Sequence, residues 1–231
     1  VLDYGFDSER QPYFTMSLLD TPQTILQAGR EQPFDVQIKL IIALLEALAY
    51  LHRRGILHRD LKPPNVLFSD GQVYVLDFGL AISREADAGE QTAGTLSYMA
   101  PEVLTGGSPS EAADLYAVGV MAYEIFSGHY PFPAESVGTL IQDVIYTTPD
   151  VSALDLDPAL LAVIERLLAK SPDARYTDVY STLRDLCLAA NVPLPEETAA
   201  IRESYLQAAK FVGRGDELRT RPLEGLGNQI V

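Results

Sequence analysis

The amino-acid sequence predicts an α+β domain that is mostly helical and has a few short strands ahead of its helical part. Four stretches with apolar residues at helical spacing follow Ser110, and proline-bearing loops separate them. These helices are expected over residues 112–127, 136–146, 158–169 and 177–190. The short apolar runs that precede them are bounded by turn residues, which indicates strands.

Before the bundle, the sequence predicts a strand pair and one buried helix. Val1–Phe6 and Tyr13–Leu19 read as extended runs on either side of a polar turn. Asp35 is expected to cap a helix whose apolar stripe, over residues 38–49, is too wide for a helix on the surface. Gly55 is expected to end this helix after three basic residues, which suit a helix C-terminus.

A hairpin and a loop are expected between that helix and the bundle. Val66–Phe68 and Val73–Leu76 flank Asp70-Gly71, a dipeptide that favours a tight β-hairpin. From Ser83 to Gly94 the composition becomes small and polar, which is typical of a long loop.

Charge and composition argue against several classes of function. Seventeen Lys and Arg against 32 Asp and Glu give a formal charge of −15, the opposite sign from a nucleic-acid or anionic-membrane binder. The longest apolar run, residues 40–51, contains Glu46 and is too short to span a bilayer. Cys187 is the only cysteine, so no internal disulfide can form and a reducing, cytoplasmic compartment is expected. Cys187 itself is predicted to be a buried apolar residue rather than a reactive thiol.

Three motifs follow one another at defined spacing. Residues 58–65 read His-Arg-Asp-Leu-Lys-Pro-Pro-Asn, residues 77–79 read Asp-Phe-Gly, and residues 94–102 read Gly-Thr-Leu-Ser-Tyr-Met-Ala-Pro-Glu. Together they resemble the catalytic loop, the metal-binding turn and the end of the activation segment of eukaryotic-type (Hanks-type) serine/threonine protein kinases. The resemblance implies a protein-kinase-like fold in which this chain supplies the C-terminal lobe.

The resemblance implies a role for each polar residue of these motifs. Asp60 would accept the proton of the substrate hydroxyl, Lys62 would neutralise charge on the moving phosphoryl group, and Thr95 would contact both. Asn65 and Asp77 would bind the Mg²⁺ (or Mn²⁺) that accompanies ATP, because oxygen ligands suit hard cations. The implied reaction transfers the γ-phosphate of ATP to Ser or Thr hydroxyls of a protein. Small-molecule phosphotransferases of the same fold normally lack the Ala-Pro-Glu ending.

Residues 13–19 resemble the last strand and the hinge behind the adenine ring of ATP. Met16 would be the gatekeeper, and the backbone of Ser17 and Leu19 would face the adenine. Leu67 would contact the ring from below. An ordinary buried strand is the alternative interpretation of this looser motif. Residues 1–20 are therefore expected to be the end of an N-terminal lobe, and residues 21–190 the C-terminal lobe.

Other positions match supporting roles in the same family. Asp114 resembles the aspartate that opens the central helix and braces the catalytic loop, and Arg175 resembles the arginine that pairs with Glu102.

Arg59 resembles an arginine that receives a phosphate carried by the activation loop. The candidates for that phosphate are Thr92 first, then Ser83 and Ser97. An unmodified polar loop is the alternative.

Two further features concern the ends of the sequence. No Gly-x-Gly-x-x-Gly loop occurs, and residues 1–15 leave no room for the lysine strand of a complete ATP site, so low activity is expected of this chain alone. After an expected linker over 191–210, residues 211–218 resemble the box that opens signal-transducing ATPase domains. Residues 211–231 are thus expected to begin such a domain in a bacterial multidomain kinase, with a casual match as the alternative. The alternative to a kinase function is a pseudokinase or scaffold, in which this lobe binds partners and does not catalyse phosphotransfer.

Overall fold

The computed structural model describes residues 18–77, 94–132 and 136–195, together with the backbone of residues 3–6 and 12–15. At the start of the chain, β1 (Asp3–Phe6) pairs antiparallel with β2 (Pro12–Thr15). The predicted strand pair is confirmed, but β2 begins one residue earlier than expected, and Leu18 and Leu19 do not belong to a strand. The following positions of interest lie outside the described residues: Met16, Ser17, Phe78, Gly79, Ser83, Thr92 and residues 196–231.

A second antiparallel sheet has the order β3-β4-β5. Its strands are β3 (Gln23–Thr24), β4 (Val66–Ser69) and β5 (Gln72–Val75). Asp70 and Gly71 join β4 to β5 with φ angles of 49° and 78°. Two positive φ angles are what a tight hairpin turn with the correct twist requires, so the predicted hairpin is confirmed.

The described helices account for most of the fold. Their bounds are α1 (Ile25–Gly29), α2 (Phe34–His52), α3 (Pro101–Leu104), α4 (Glu111–Ser127), α5 (Val137–Tyr146), α6 (Pro158–Leu167) and α7 (Val179–Ala189). Short 3-10 turns lie at Pro63–Asn65, Val151–Ala153 and Pro172–Ala174. The four helices predicted after Ser110 are confirmed to within two residues at each end. Ser and Asp side chains cap each of them by accepting a backbone N–H of the first turn.

The start of α2 differs from the prediction. Asp35 is not the cap; the helix begins at Phe34 directly after Pro33, whose side chain makes no capping bond. The proline carbonyl instead accepts the N–H groups of Val36 and Gln37, 2.9 and 3.1 Å away. Asp35 lies in the first turn, where its charge favours the positive end of the helix dipole.

The end of α2 agrees with the prediction. The last helical residue is His52, and Gly55, with a φ of 70°, donates its N–H to the carbonyl of His52. A left-handed residue at this place satisfies a carbonyl that the helix itself leaves open.

The core lies between α2 and α4. Helix α2 packs against α7 and α4, and α4 also packs against α6. On α4 every residue from 114 to 123 is buried, and on α2 ten residues are, so the predicted burial of α2 is confirmed. Cys187 is buried on α7, and burial raises the pKa of its thiol. None of the described helices combines the length and apolarity needed to cross a membrane.

Gly119→Ala is expected to destabilise the protein by about 1–3 kcal/mol through overpacking. A Cβ at Gly119 would lie 2.8 Å from the Cβ of Leu167 and 3.2 Å from Leu168. The Cβ of Leu167 is fixed to the backbone of α6, so the whole helix would have to shift. Urea denaturation measures the loss. Gly138→Ala is the control, because on α5 a new Cβ meets nothing nearer than 3.8 Å. Equal stabilities of the two variants would contradict close packing of α4 on α6.

Candidate active site

The carboxylate of Asp114, on α4, holds the backbone of the loop at residues 58–65. Asp114, only 3% exposed, accepts the backbone N–H of His58 at 2.9 Å and that of Arg59 at 3.0 Å. Arg59 has a φ of 70°, a left-handed conformation that costs energy in a residue other than glycine. The two bonds to Asp114 stabilise this turn. The predicted bracing role of Asp114 is thus seen in the structure, and Asp114 lies in the first turn of α4, as expected of a residue that opens this helix.

The loop and the segment after it bring four predicted residues into one hydrogen-bonded cluster. Lys62 Nζ lies 2.9 Å from Asp60 Oδ2 and donates to Thr95 Oγ1 at 2.8 Å. Asn65 Nδ2 donates to the backbone carbonyl of Asp60 at 2.8 Å and lies 3.2 Å from Asp60 Oδ2. The side chains of Asp60 and Lys62 remain 27% and 21% exposed, so a second molecule can reach them.

Asp77 is joined to this cluster through the backbone of the residue before it. Leu76 donates its N–H to the carbonyl of Asn65 at 2.9 Å, and its own carbonyl lies 2.9 Å from His58 Nε2. Asp77 is exposed and has a φ of 57°. A positive φ costs energy in a residue other than glycine, and such strained backbone is concentrated at functional sites.

The donor chemistry of two residues fits Mg²⁺. The amide nitrogen of Asn65 donates to Asp60, so the Oδ1 atom of Asn65 is the one that can bind a cation. Asp77 presents an exposed carboxylate. Mg²⁺ in nucleotide sites is commonly bound by one or two protein oxygens together with phosphate oxygens. Asn65 and Asp77 are therefore suitable ligands for Mg²⁺ that arrives with a nucleotide.

The adenine side of the predicted site is only partly described. Leu19 and Leu67 are half-buried, and Leu67 lies on β4 opposite Thr24. Ser69 Oγ donates to the carbonyl of Asp20 at 2.7 Å, which ties the chain after Leu19 to the strand that carries Leu67. The contacts of the two leucines with a nucleotide stay a prediction, as do those of Met16 and Ser17.

The segment at residues 94–102 ends in a buried ion pair. Arg175 Nη1 and Nη2 each lie 2.7 Å from an oxygen of Glu102, and the arginine side chain is fully buried. The guanidinium also donates to three backbone carbonyls, those of Ala112, Ala169 and Lys170. The predicted pairing of Glu102 with Arg175 is confirmed.

His52 helps to position the site, although it lies in none of the three motifs. Its Nε2 lies 2.8 Å from Asp114 Oδ2, and its Nδ1 lies 3.5 Å from Glu111 Oε2. His52 therefore orients the carboxylate that holds the loop at residues 58–65. The only signal in the sequence is a histidine at the end of an apolar helix, which on its own predicts no partner.

His58 is buried, and burial disfavours the protonated, positively charged form of its imidazole. Burial lowers its pKa from the ordinary value of 6.5, although Asp114 and Asp60 oppose the shift. Its Nε2 faces the Leu76 carbonyl, while its Nδ1 is buried without a hydrogen-bond partner among the described residues. A second proton would place an unpaired N–H at Nδ1.

His58→Gln is expected to flatten the dependence of stability on pH below about 6.5. The unfolded chain protonates this histidine as the pH falls below 6.5, while the folded state resists until its lower pKa is reached. The unfolded state then binds more protons, so wild-type stability falls through that window. Urea denaturation at several pH values between 5 and 7.5 measures it. His129→Gln controls for loss of a histidine, and equal slopes in His58→Gln and the wild type would contradict the assignment.

The chain is similar to known protein kinases. The family description "Protein kinase domain" matches residues 5–187. The probable serine/threonine-protein kinase pknA2 of Bifidobacterium longum is 37% identical over 165 residues, 68% of this chain and 22% of the relative. The serine/threonine-protein kinase PknL of Mycobacterium tuberculosis is 31% identical over an alignment of 249 residues, which covers 100% of this chain and 62% of the relative.

A third relative is the probable serine/threonine-protein kinase SCO3848 of Streptomyces coelicolor, 34% identical over 186 residues, 75% of this chain and 27% of the relative. The chain thus spans between 22% and 62% of the length of these curated relatives. The family match extends over most of the chain and includes the polar cluster, α4 and the Glu102–Arg175 pair. This chain belongs to the protein kinase family.

Proposed function

We propose that this chain provides the catalytic lobe of a serine/threonine protein kinase, which transfers the γ-phosphate of ATP to Ser or Thr hydroxyls of proteins. The observation that carries the proposal is the cluster of Asp60, Lys62, Asn65 and Thr95, joined by bonds of 2.8 to 3.2 Å. The names of the similar bacterial kinases support the same acceptor class.

Each residue of the cluster has a chemical task in this proposal. Asp60 orients the acceptor hydroxyl and takes up its proton as the oxygen attacks the γ-phosphorus. Lys62, held by Thr95, neutralises negative charge on the phosphoryl group during transfer. Asn65 orients the Asp60 carboxylate through its amide nitrogen.

The remaining tasks concern ATP. Mg²⁺ supplies charge neutralisation at the phosphates when bound, and Asn65 and Asp77 would hold it. The backbone of Ser17 and Leu19 would face the adenine ring, Leu67 would make apolar contact with it, and Met16 would be the gatekeeper. Thr95, whose hydroxyl accepts from Lys62, matches the threonine typical of serine/threonine kinases, and this resemblance supports Ser and Thr as acceptors.

The wider organisation is part of the same proposal. Residues 1–20 would be the last strands and hinge of an N-terminal lobe, residues 21–190 the C-terminal lobe, and residues 191–210 a linker. Residues 211–231 would begin an ATPase domain, a proposal that is supported by the motif at 211–218 and lies outside the described residues. A cytoplasmic location is inferred from the use of ATP and the lone, buried thiol of Cys187.

The test is a phosphotransfer assay on the protein expressed from the complete open reading frame that contains these residues. Labelled γ-phosphate of ATP is offered with casein as acceptor, and the labelled amino acids are identified after hydrolysis. Transfer to Ser and Thr that stops with EDTA and returns with Mg²⁺ or Mn²⁺ is expected. A folded protein that transfers no phosphate would favour the pseudokinase function instead.

A further inference from the structure

Two tyrosines tie the segment at residues 94–100 to α4 and to the turn that follows it. Tyr130 Oη donates to the backbone carbonyl of Ser97 at 2.5 Å. Tyr98 Oη donates to Glu124 Oε2, also at 2.5 Å. The rings of Tyr98 and Tyr130 meet edge to face with centroids 6.2 Å apart. Tyr130 therefore holds the backbone of the segment, and Tyr98, which belongs to the segment, attaches it to α4 through its own side chain.

The held backbone is continuous with Thr95. Tyr98 donates its N–H to the carbonyl of Thr95 at 3.4 Å, and Met99 donates to Leu96 at 3.2 Å. These bonds close a compact turn in which Ser97 is only two residues from Thr95. A shift of the Ser97 carbonyl would therefore move Thr95, whose hydroxyl is the acceptor for Lys62.

The hydroxyl of Tyr130 has a defined place because its half-buried ring packs against two other aromatic rings. The ring lies edge to face with Phe132, centroids 5.7 Å apart, as well as with Tyr98. Phe132 is itself buried, and Lys170 Nζ lies 4.3 Å from its centroid. Burial raises the pKa of Tyr130, so its hydroxyl keeps its proton and stays a donor. A tyrosine has few rotatable bonds, so ordering it costs little entropy.

We propose that Tyr130 is a positioning residue for phosphotransfer: its hydroxyl holds the Ser97 carbonyl so that Thr95 meets Lys62. Tyr130 acts at a distance from the reacting atoms, through the turn at residues 95–99. This inference rests on the proposed kinase function, and it assigns a part of the activity to a side chain that lies outside the three sequence motifs.

The test compares Tyr130→Phe with Tyr123→Phe in the protein from the complete open reading frame. Both variants lose a tyrosine hydroxyl that donates to a backbone carbonyl, because Tyr123 Oη donates to the carbonyl of Asp150 at 3.1 Å. Tyr130→Phe is expected to lower kcat/KM for the protein acceptor about three- to tenfold, the usual effect of one lost hydrogen bond. The KM for ATP should stay unchanged, and Tyr123→Phe should retain wild-type kcat/KM.

Two further readouts separate positioning from a general loss of stability. Hydrogen exchange of the Tyr98 and Met99 amides should be faster in Tyr130→Phe and unchanged in Tyr123→Phe. Combined with Thr95→Val, Tyr130→Phe should add little further loss, because both changes act on the Lys62–Thr95 contact.

The possible failures are distinguishable. An inactive wild-type protein would overturn the proposed kinase function and this inference with it. An active wild type in which Tyr130→Phe transfers phosphate normally, or in which Tyr123→Phe is equally impaired, would overturn the inference alone. Faster amide exchange without a loss of transfer would also overturn it.

Discussion

Asp60→Asn is expected to lower the rate of phosphotransfer by roughly 10²- to 10⁴-fold, the usual contribution of a general base. An amide has nearly the shape of the carboxylate but cannot take up the proton of the acceptor hydroxyl. Asn65 keeps its bond to the backbone carbonyl at position 60, so the loop should retain its conformation. The lost ion pair with Lys62 is partly exposed and should cost little stability, within about 1 kcal/mol.

The measurement is kcat and the KM for ATP under saturating Mg²⁺, with thermal unfolding as a check on the fold. Asp155→Asn is the matched control, because it removes the same charge from an exposed position outside the polar cluster. It should transfer phosphate at the wild-type rate. If Asp60→Asn kept more than a tenth of the wild-type rate, Asp60 could not be the base.

Arg175→Met is expected to destabilise the protein by about 3–5 kcal/mol, the usual result of removing one partner of a buried ion pair. The substitution leaves the Glu102 carboxylate without its two 2.7 Å bonds. It also leaves the carbonyls of Ala112, Ala169 and Lys170 without this donor. Such uncompensated groups carry most of the cost. Activity should fall as well, because Glu102 ends the segment that carries Thr95.

Urea denaturation measures the change in the free energy of unfolding. Arg184→Met is the control, since Arg184 pairs with Asp185 at 3.0 Å but its side chain is 62% exposed, and less than about 1 kcal/mol is expected. The double variant Glu102→Gln, Arg175→Met should lose less than the sum of the two single variants, because it no longer buries an unpaired charge. Additive losses would show that the two side chains do not stabilise each other.

Local features were predictable because each depends on neighbouring residues. The Asp70-Gly71 turn needs two positive φ angles, and the residue types alone indicate it. The helices after Ser110 are similarly marked by their apolar spacing and by capping residues. The start of α2 was predicted wrongly for a local reason too, because Pro33 already provides the entry to the helix and leaves no capping position for Asp35.

The residues alone predict the buried helix α2, the four helices after Ser110, the hairpin and the order of the three motifs, whereas the short helices α1 and α3 were not predicted. Which polar groups meet depends on how the helices pack. Asp114 reaches His58 across 56 positions and Arg175 reaches Glu102 across 73, and the sequence predicts these contacts only through the resemblance of its motifs. Tyr130 meets the Ser97 carbonyl across 33 positions, and no motif predicts it. The physical reason is that hydrogen bonds act over about 3 Å, and only the packing of α4 brings such distant groups that close.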